Sequence, residues 1–270
     1  MPADRVDRVN VLGVGVSAID PAGAFAAVEA AVRTGEGGYV CVTGVHGVSE
    51  AQADPAFRRV LNDALLVTPD GVPMVWMGHL QHHPDMARVY GPDLMLAILE
   101  ASPSRGWTHY FYGGANGAAA ELRTRMEARF PGLQVVGHFE PPFRPLDHAE
   151  EQALLDDVHR TRPTMLWVGL STPKQERFMA EYYDRLQVPV LFGVGAAFDF
   201  HTGRVAQAPA WMQRRGLEWF YRLCREPRRL WRRYLRNNPL FVGRAVLQLT
   251  GARKYEITPP STPHRSEQAS

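Results

Sequence analysis

The segment MLWVGLSTPKQERFMAEYYDRLQVPVLFGV, residues 165–194, decides the fold class of this chain. It opens with the apolar run 165–168, continues with a helical pattern over 173–186 and closes with the apolar run 190–194. Two such runs on either side of a helix form a βαβ unit, in which the two strands are parallel. The segment therefore predicts strands of a parallel sheet.

The same alternation extends along most of the chain. Apolar, β-branched runs predict strands at residues 9–14, 39–43, 65–68, 109–112, 134–137, 165–168 and 190–194. Helical patterns lie between them, at residues 22–34, 55–61, 92–101, 117–130, 149–161 and 173–186. We therefore predict a Rossmann-like α/β domain over residues 1–203, with a mostly parallel sheet and helices on both faces.

The pattern changes after residue 203. Residues 204–250 predict a helical appendage, with a break at Asn238-Pro239 because the residue before a proline is disfavoured in the α region. Its predicted helices are at 217–223, 228–237 and 240–249. The stretch 214–244 contains ten arginines and two acids, which makes the appendage strongly basic. Residues 251–270 are predicted to be a disordered tail.

Composition predicts a cytoplasmic protein. No apolar run approaches the roughly 18 residues of a membrane span, and the residues MPADRVDRVN lack the apolar core of a secretory signal. Cys41 and Cys224 match no metal-ligand spacing, and a disulfide framework is not expected. No Asp-x-Asp motif follows a predicted strand and no histidines have zinc spacing, so we predict no metal and no cofactor.

Polar turns follow five of the predicted strands. Ligands of parallel α/β sheets bind beyond the carboxyl ends of the strands, and all of these turns lie at that edge. The turns therefore predict a ligand site there. Its candidate residues are Thr43, His46, Asp70, Gly113, Gly114, Lys174, Gln175 and Asp199.

Asp70 has two interpretations. It lies in the turn TPDG, residues 68–71, where aspartate is favoured by the local hydrogen bonds of a turn. The alternative is a general base, a carboxylate at a strand end that removes a proton from an attacking hydroxyl. Gly113 and Gly114 are similarly ambiguous, because glycine also permits a tight turn.

The segment TPKQE, residues 172–176, combines a helix start with an anion-binding pattern. Thr172 is predicted to cap a helix that begins at Pro173, with Glu176 near the capping-box position. Lys174 and Gln175 then lie in the first turn, where free backbone N–H groups favour anions. We therefore predict that they contact a phosphate or a sugar.

The arginine-rich stretch has two interpretations as well. Arg229 and Arg232 share a helix face, and Leu230, Trp231 and Tyr234 form an apolar strip between the basic positions. A basic amphipathic helix with tryptophan on its seam is typical of helices in a membrane interface. The same strip fits a helix packed on the α/β domain, and both interpretations remain open.

Two other function classes are considered. Gly13-Val14-Gly15, with Ala18 as the third position, matches the fingerprint of a nicotinamide-dependent Rossmann oxidoreductase. Against it, the next helix is predicted to start at Asp20-Pro21, away from the glycines, and no acid follows the second strand to bind a ribose. A non-enzymatic basic module that binds membrane or nucleic acid is the other alternative, although no nucleic-acid motif is present.

Ordered motifs over residues 9–234 resemble the WecG/TagA/CpsF family of bacterial glycosyltransferases. They include TPDG (68–71), RVYGPDL (88–94), FYGG (111–114), PKQE (173–176), FDF (198–200), GLEWFYRL (216–223) and EPRR (226–229). The resemblance implies inverting, metal-independent transfer of a sugar from a UDP-sugar donor. The implied acceptor is a polyprenyl-diphosphate-linked sugar in cell-surface polysaccharide biosynthesis. The sugar is of the N-acetylmannosamine type, or a related hexose or uronic acid.

The resemblance also implies roles for individual residues. Asp70 is then the catalytic base, and Asp199 contacts the nucleotide. Thr43, Arg88 and Gln175 line the sugar and acceptor site. Many relatives carry Thr-x-Asn after the second strand, whereas this chain has TGVH over residues 43–46. Valine lacks the hydrogen bonds of an amide, so either His46 takes over the role or the bound sugar differs.

The appendage also has roles implied by the resemblance. Arg222, Arg229 and Arg232 close over the diphosphate, which the planar donors of arginine match in bidentate fashion. The appendage docks on the inner face of the cell membrane, so that the protein is expected to be peripheral there. Apolar surface beside it is compatible with a homo-oligomer, and no nucleic-acid partner is expected.

Overall fold

The computed structural model describes residues 6–258, apart from the side chains of Ala210, Arg214, Arg229 and Arg233. The described chain begins with a β-hairpin, in which β1 (Arg8–Val11) pairs antiparallel with β2 (Val14–Ser17). Val11 lies opposite Val14, which leaves Leu12 and Gly13 as a two-residue turn.

The hairpin corrects two sequence interpretations. Leu12 and Gly13 have φ angles of 53° and 82°, and positive φ at both central positions is characteristic of a type I′ hairpin turn. The prediction of a single strand over 9–14 was therefore wrong, because the apolar run reverses direction at its middle. Gly13 and Gly15 belong to this hairpin and not to a loop that opens a helix, which removes the basis of the oxidoreductase alternative.

The main sheet has six strands in the order β4-β3-β8-β7-β5-β6. Every neighbouring pair is parallel, which confirms the predicted Rossmann-like α/β class. The strands are β3 (Gly38–Thr43), β4 (Leu66–Pro69), β5 (Thr108–Gly113), β6 (Gln134–Phe139), β7 (Met165–Gly169) and β8 (Val190–Gly193). Because all are parallel, their carboxyl ends lie along one edge of the sheet.

Helices cover both faces of the sheet, as predicted. Side chains of each strand alternate between two cores: Tyr39 and Cys41 of β3 point into one, and Val40 points into the other. On the first face lie α2 (Val45–Ala53), α3 (Pro55–Asp63), α4 (Val72–His79), α7 (His148–Thr161) and α8 (Lys174–Leu186). On the second lie α1 (Pro21–Thr34), α5 (Gly91–Arg105), α6 (Ala118–Arg129) and α9 (Ala197–His201).

Helices α2, α4 and α9 of the α/β domain were not predicted from the sequence. Helices α2 and α4 start two and three residues after a strand end, so that the start of each was read as part of a polar turn. The segment VPMVWMGH of α4 contains His79 as its only ionisable side chain. It therefore lacks the alternation of polar and apolar faces that identifies a surface helix.

The appendage consists of α10 (Ala210–Arg214), α11 (Glu218–Arg225) and α12 (Pro227–Leu249). The predicted break at Asn238-Pro239 was wrong, because α12 continues through Pro239. Phe241 and Ala245, beyond this proline, are buried against the first core. Tertiary packing thus keeps the helix continuous where local preference disfavours it. Among the helices of residues 6–258, none has the length and hydropathy to cross a bilayer.

The predicted tail is described only as far as residue 258. Gln248, at the end of α12, donates from Nε2 to Asn10 O at 2.8 Å and accepts from Leu12 N at 2.9 Å. Asn10 Nδ2 in turn donates to Tyr255 O at 2.5 Å. The end of the appendage is therefore attached to the hairpin, and residues 259–270 lie outside the described residues.

A buried hydrogen-bond chain connects the sheet with α5. Trp167 Nε1 donates to His109 Nδ1 at 3.0 Å, so the proton of the neutral imidazole is on Nε2. His109 Nε2 then donates to Ser102 Oγ at 2.8 Å, and Ser102 donates to Ile98 O at 2.6 Å. Burial without a compensating charge lowers the pKa of His109 to about 3.

This depressed pKa makes the stability of the domain dependent on pH. The unfolded state takes up a proton on His109 near pH 6.5, and the folded state does not. The contribution of His109 to the free energy of unfolding is therefore fully present above pH 6.5 and is lost as pH falls toward 3. We expect urea unfolding to show a loss of about 2 kcal/mol from this group between pH 7 and pH 5.

His109→Gln is the matched control, since glutamine preserves both hydrogen bonds but does not titrate. The loss is measured as the difference in pH dependence between the two proteins. Parallel stability curves for both would contradict a neutral buried imidazole.

Candidate active site

The carboxyl ends of β3 and β4 determine the position of Asp70. Thr43 lies opposite Pro69 in the parallel register, and the Asp70 N–H donates to Thr43 O at 3.0 Å. Val89 N donates to Pro69 O at 2.9 Å, which brings the segment that carries Arg88 alongside. Backbone hydrogen bonds therefore hold Thr43, Asp70 and Arg88 together at the predicted edge.

The Asp70 carboxylate is in an unusual environment. Its side chain is 33% exposed, yet Oδ1 is shielded from solvent and accepts no hydrogen bond. Burial raises the pKa of Asp70 to about 6, and the negative charge of Glu218 adds to the effect. The positive charges of Arg88 and Arg222 and the Gly91 N–H act in the opposite direction. Asp70 thus has the properties of a base that works near neutral pH.

Arg88 is held by three neighbours. Its Nε donates to Asp70 O at 2.5 Å, and its guanidinium lies 4.3 Å from the centre of the Tyr90 ring. Its Nη2 is 2.5 Å from Glu218 Oε2 but 3.7 Å from Asp70 Oδ1. The guanidinium is therefore ion-paired more closely with the appendage than with Asp70.

Helix α11 supplies two charged side chains to this site. Glu218 and Arg222 are four residues apart and lie on one helix face. Glu218 binds Arg88 and accepts from the Tyr90 hydroxyl at 3.2 Å. Arg222 lies 5.9 Å from the Phe200 ring centre, and its Nε is shielded from solvent without a hydrogen-bond partner. The appendage therefore reaches the carboxyl edge of the sheet.

Sequence reasoning missed Glu218 and Tyr90 as site residues. Both lie in motifs that carried the family resemblance, RVYGPDL and GLEWFYRL. The sequence feature that could have indicated Glu218 is its rarity, because it is one of two acids in a stretch with ten arginines.

Gln175 and Glu176 form a buried polar pair at the end of β7. Gln175 Oε1 accepts from Gly195 N at 2.9 Å, and its Nε2 donates to Glu176 Oε1 at 3.1 Å. Thr172 Oγ1 also donates to Glu176 Oε1, at 2.8 Å. The Gln175 amide is thereby fixed between two strand ends. Glu176 Oε2 is buried without a partner, and burial raises the pKa of this carboxyl.

The predicted start of α8 needs a correction. The helix begins at Lys174, and its N-cap position is Pro173, with no side-chain cap. The Thr172 hydroxyl donates to the carboxylate of Glu176 and does not accept from the helix N-terminus. Lys174 is exposed at this helix start, and no anion contact is shown for it.

Gly113 and Gly114 have a structural explanation. Gly113 has a φ of 119°, and a Cβ there would lie 2.6 Å from Gly169 O. The Gly114 N–H donates to the same carbonyl oxygen at 3.0 Å. Glycine therefore lets the ends of β5 and β7 approach closely, while leaving this part of the edge without side chains.

Two predicted residues lie elsewhere along the edge. His46 Nδ1 is 3.3 Å from Asn237 Nδ2 of α12 and 3.6 Å from Glu50 Oε1, so His46 faces the appendage. Asp199 is half-buried on α9, after the end of β8, and its backbone oxygen accepts from Val205 N at 3.2 Å. Sugar or nucleotide contacts of both residues stay predictions.

The predicted arginines are not all brought to Asp70. Arg222 reaches the site, whereas Arg232 is exposed on α12 with its guanidinium 5.2 Å from the ring centre of Trp231. The side chain of Arg229 lies outside the described part of the structure. Within residues 6–258, no group of three or more His, Cys, Asp or Glu side chains is arranged to hold a metal ion.

Comparisons with known proteins identify the family of this chain. The chain matches the model of the glycosyl transferase WecG/TagA/CpsF family over residues 9–255. It is 32% identical over 186 residues to the N-acetylglucosaminyldiphosphoundecaprenol N-acetyl-beta-D-mannosaminyltransferase of Bacillus spizizenii (strain ATCC 23059 / NRRL B-14472 / W23), covering 69% of this chain and 70% of that protein.

A protein of the same name from Bacillus subtilis (strain 168) is 28% identical over 183 residues, covering 67% of this chain and 69% of that protein. The family model covers most of the chain, including all six strands of the main sheet and the three helices of the appendage. The chain therefore belongs to the WecG/TagA/CpsF family of glycosyltransferases.

Proposed function

We propose that this glycosyltransferase moves an N-acetylmannosamine-type sugar from a UDP-sugar to a polyprenyl-diphosphate-linked sugar, with inversion. The names of the two relatives support the class of sugar and acceptor. The observation that carries the proposal is Asp70, a partly shielded carboxylate with a free Oδ1 and a raised pKa at the carboxyl edge of the sheet. A related hexose or uronic acid is the alternative donor sugar.

Asp70 acts as the general base in this reaction. It accepts the proton of the acceptor hydroxyl while that oxygen forms a bond to the anomeric carbon. The bond from this carbon to the diphosphate oxygen breaks on the opposite face, so that configuration inverts and UDP leaves with the electron pair. The proton remains on Asp70 until it is released to solvent.

Arginine neutralises the departing diphosphate in place of a metal. The positive charge of Arg222 lowers the pKa of Asp70, and its Nε has no hydrogen-bond partner in the protein. Planar guanidinium groups bind diphosphate oxygens in bidentate fashion. Arg229 and Arg232 are proposed to join it in binding the diphosphate.

The appendage is also proposed to dock on the inner face of the cell membrane. Aromatic side chains stand exposed among its arginines; they are Trp211, Trp219, Phe220 and Trp231. Tryptophan and arginine together favour the interface of a bilayer, where an acceptor with a polyprenyl chain is anchored. Self-association through apolar surface beside the appendage stays a prediction.

Asp70→Asn tests the base. We expect turnover to fall by roughly 10²–10⁴ with UDP-N-acetylmannosamine and a synthetic lipid-diphosphate-N-acetylglucosamine acceptor, while UDP affinity changes little. In the unmodified protein, kcat/KM should fall as pH decreases through about 6, because protonated Asp70 accepts no proton. A fully active Asp70→Asn protein would refute the role of Asp70, and transfer of other sugars only would refute the donor.

Metal independence is tested separately. We expect the transfer rate to be unchanged by excess EDTA and by added Mg²⁺, since arginine supplies the positive charge. Arg222→Ala should lower turnover, with Arg125→Ala, a surface arginine paired with Glu121 on α6, as the control. Loss of activity in EDTA with recovery in Mg²⁺ would contradict metal independence and would show that a metal ion neutralises the diphosphate.

Membrane docking is tested by co-sedimentation with liposomes that contain anionic lipids. Double substitution of Trp219 and Trp231 by serine should reduce the bound fraction severalfold, because two interfacial anchors are removed. Trp76→Ser, on α4 outside the appendage, is the matched control for an exposed tryptophan. Equal binding by the double variant and the unmodified protein would place the membrane contact elsewhere.

A further inference from the structure

Glu218 is an acidic side chain in a basic appendage, and both of its oxygens bind the α/β domain. Oε2 accepts from Arg88 Nη2 at 2.5 Å, and Oε1 accepts from the Tyr90 hydroxyl at 3.2 Å. The Glu218 side chain is only 15% exposed. It is therefore placed in the site and not on a solvated helix face.

The geometry around Arg88 shows what Glu218 does. Arg88 is anchored at Nε by the backbone oxygen of Asp70 and lies over the Tyr90 ring, so its guanidinium has little freedom. Within this restricted position Nη2 is 2.5 Å from Glu218 and 3.7 Å from Asp70 Oδ1. The ion pair with Glu218 leaves the Asp70 oxygen without a hydrogen bond from Arg88.

We propose that Glu218 is a positioning residue that holds the Arg88 guanidinium away from Asp70, so that the Asp70 carboxylate stays free to accept the proton of the acceptor. This inference rests on the proposed role of Asp70 as the base. It adds to that role a condition: helix α11 must be in place.

The electrostatic argument has two parts that act in the same direction. Without the charge of Glu218, Arg88 pairs with Asp70, and a close opposite charge lowers a carboxylate pKa by about 1–3 units. Loss of the negative charge of Glu218 lowers the pKa of Asp70 further. Asp70 then becomes a weaker base that is deprotonated at lower pH.

Two contacts fix the position of α11, the helix that carries Glu218. A Cβ on Gly216, just before α11, would lie 3.0 Å from Val72 Cγ2, so this turn rests on the start of α4. The Trp219 ring packs edge-on against Tyr234 of α12, with ring centres 5.9 Å apart. If α11 left this position, Glu218 would move away from Arg88, and Asp70 would be the remaining carboxylate beside the guanidinium.

The experiment is the pH profile of kcat/KM for Glu218→Gln in the full-length protein. The charged groups that face Asp70 and Glu218 are Arg88, Arg222, Asp93 and the Tyr90 hydroxyl, and all remain in this variant. We expect the acid midpoint to move from about 6 to about one unit lower. Activity at pH 5 relative to pH 8 then rises about fivefold, while activity at pH 8 falls.

Glu127→Gln is the matched control. Glu127 is paired with Arg123 on the surface of α6, so the same chemical change there should leave the profile unaltered. Glu218→Asp keeps the charge but is shorter by one methylene group, and its midpoint should lie between those of Glu218→Gln and the unmodified protein.

A merely structural role gives a different result. If Glu218 only docks α11, Glu218→Gln loses activity equally at pH 5 and pH 8 and the midpoint stays at about 6, which overturns the inference. Asp70→Asn separates this failure from that of the proposed function. An inactive Asp70→Asn protein with an unshifted Glu218→Gln profile refutes only the positioning role, whereas an active one refutes both.

Discussion

The parallel pairing of β3 with β4 is the constraint on which the site depends. Its register places Thr43 beside Pro69, and the hydrogen bond from Asp70 N to Thr43 O extends the pairing one residue past the end of β4. Val89 N, in the segment between α4 and α5, also donates to Pro69 O. Asp70 and Arg88 are therefore positioned by backbone hydrogen bonds within a buried sheet, and their ion pair does not have to supply the free energy that holds them. This leaves the side-chain charges free to be arranged for chemistry.

Those charges oppose one another, and burial decides the outcome. Two arginines lower the pKa of Asp70, while partial burial and Glu218 raise it, and the result is a pKa of about 6. A fully formed ion pair with Arg88 would favour the charged carboxylate and weaken the base. The side chains of the Glu218–Arg88 pair are only 15% and 20% exposed, so the cost of desolvating both charges offsets much of their attraction. The main effect of the pair is to hold the Arg88 guanidinium closer to Glu218 than to Asp70 Oδ1.

The parallel sheet was predictable because five of its six strands, all except the edge strand β6, are short apolar runs buried on both faces, a local pattern visible in the sequence. The hairpin was not, because its two-residue turn at Leu12-Gly13 lies within one apolar run. The helix break predicted at Pro239 was wrong because a tertiary contact outweighs a local preference. Proline disfavours a helix interior, but the burial of Phe241 and Ala245 beyond it keeps α12 continuous. Glu218 illustrates the limit for the site. Its partner Arg88 is 130 residues away in sequence, and only the docked appendage brings the two together.

Helix α11 presents different chemistry on its two sides. Glu218 and Arg222 are one turn apart and face Asp70, whereas Trp219 and Phe220, one and two residues after Glu218, are rotated by about 100° and 200° around the axis. Both aromatic side chains are more than 40% exposed, at 42% and 49%. A rigid helix of eight residues cannot move one of these faces without the other. In the proposed function, the aromatic face of α11 therefore contacts the membrane while Glu218 lies beside Arg88, which places the base near the surface where the lipid-linked acceptor resides.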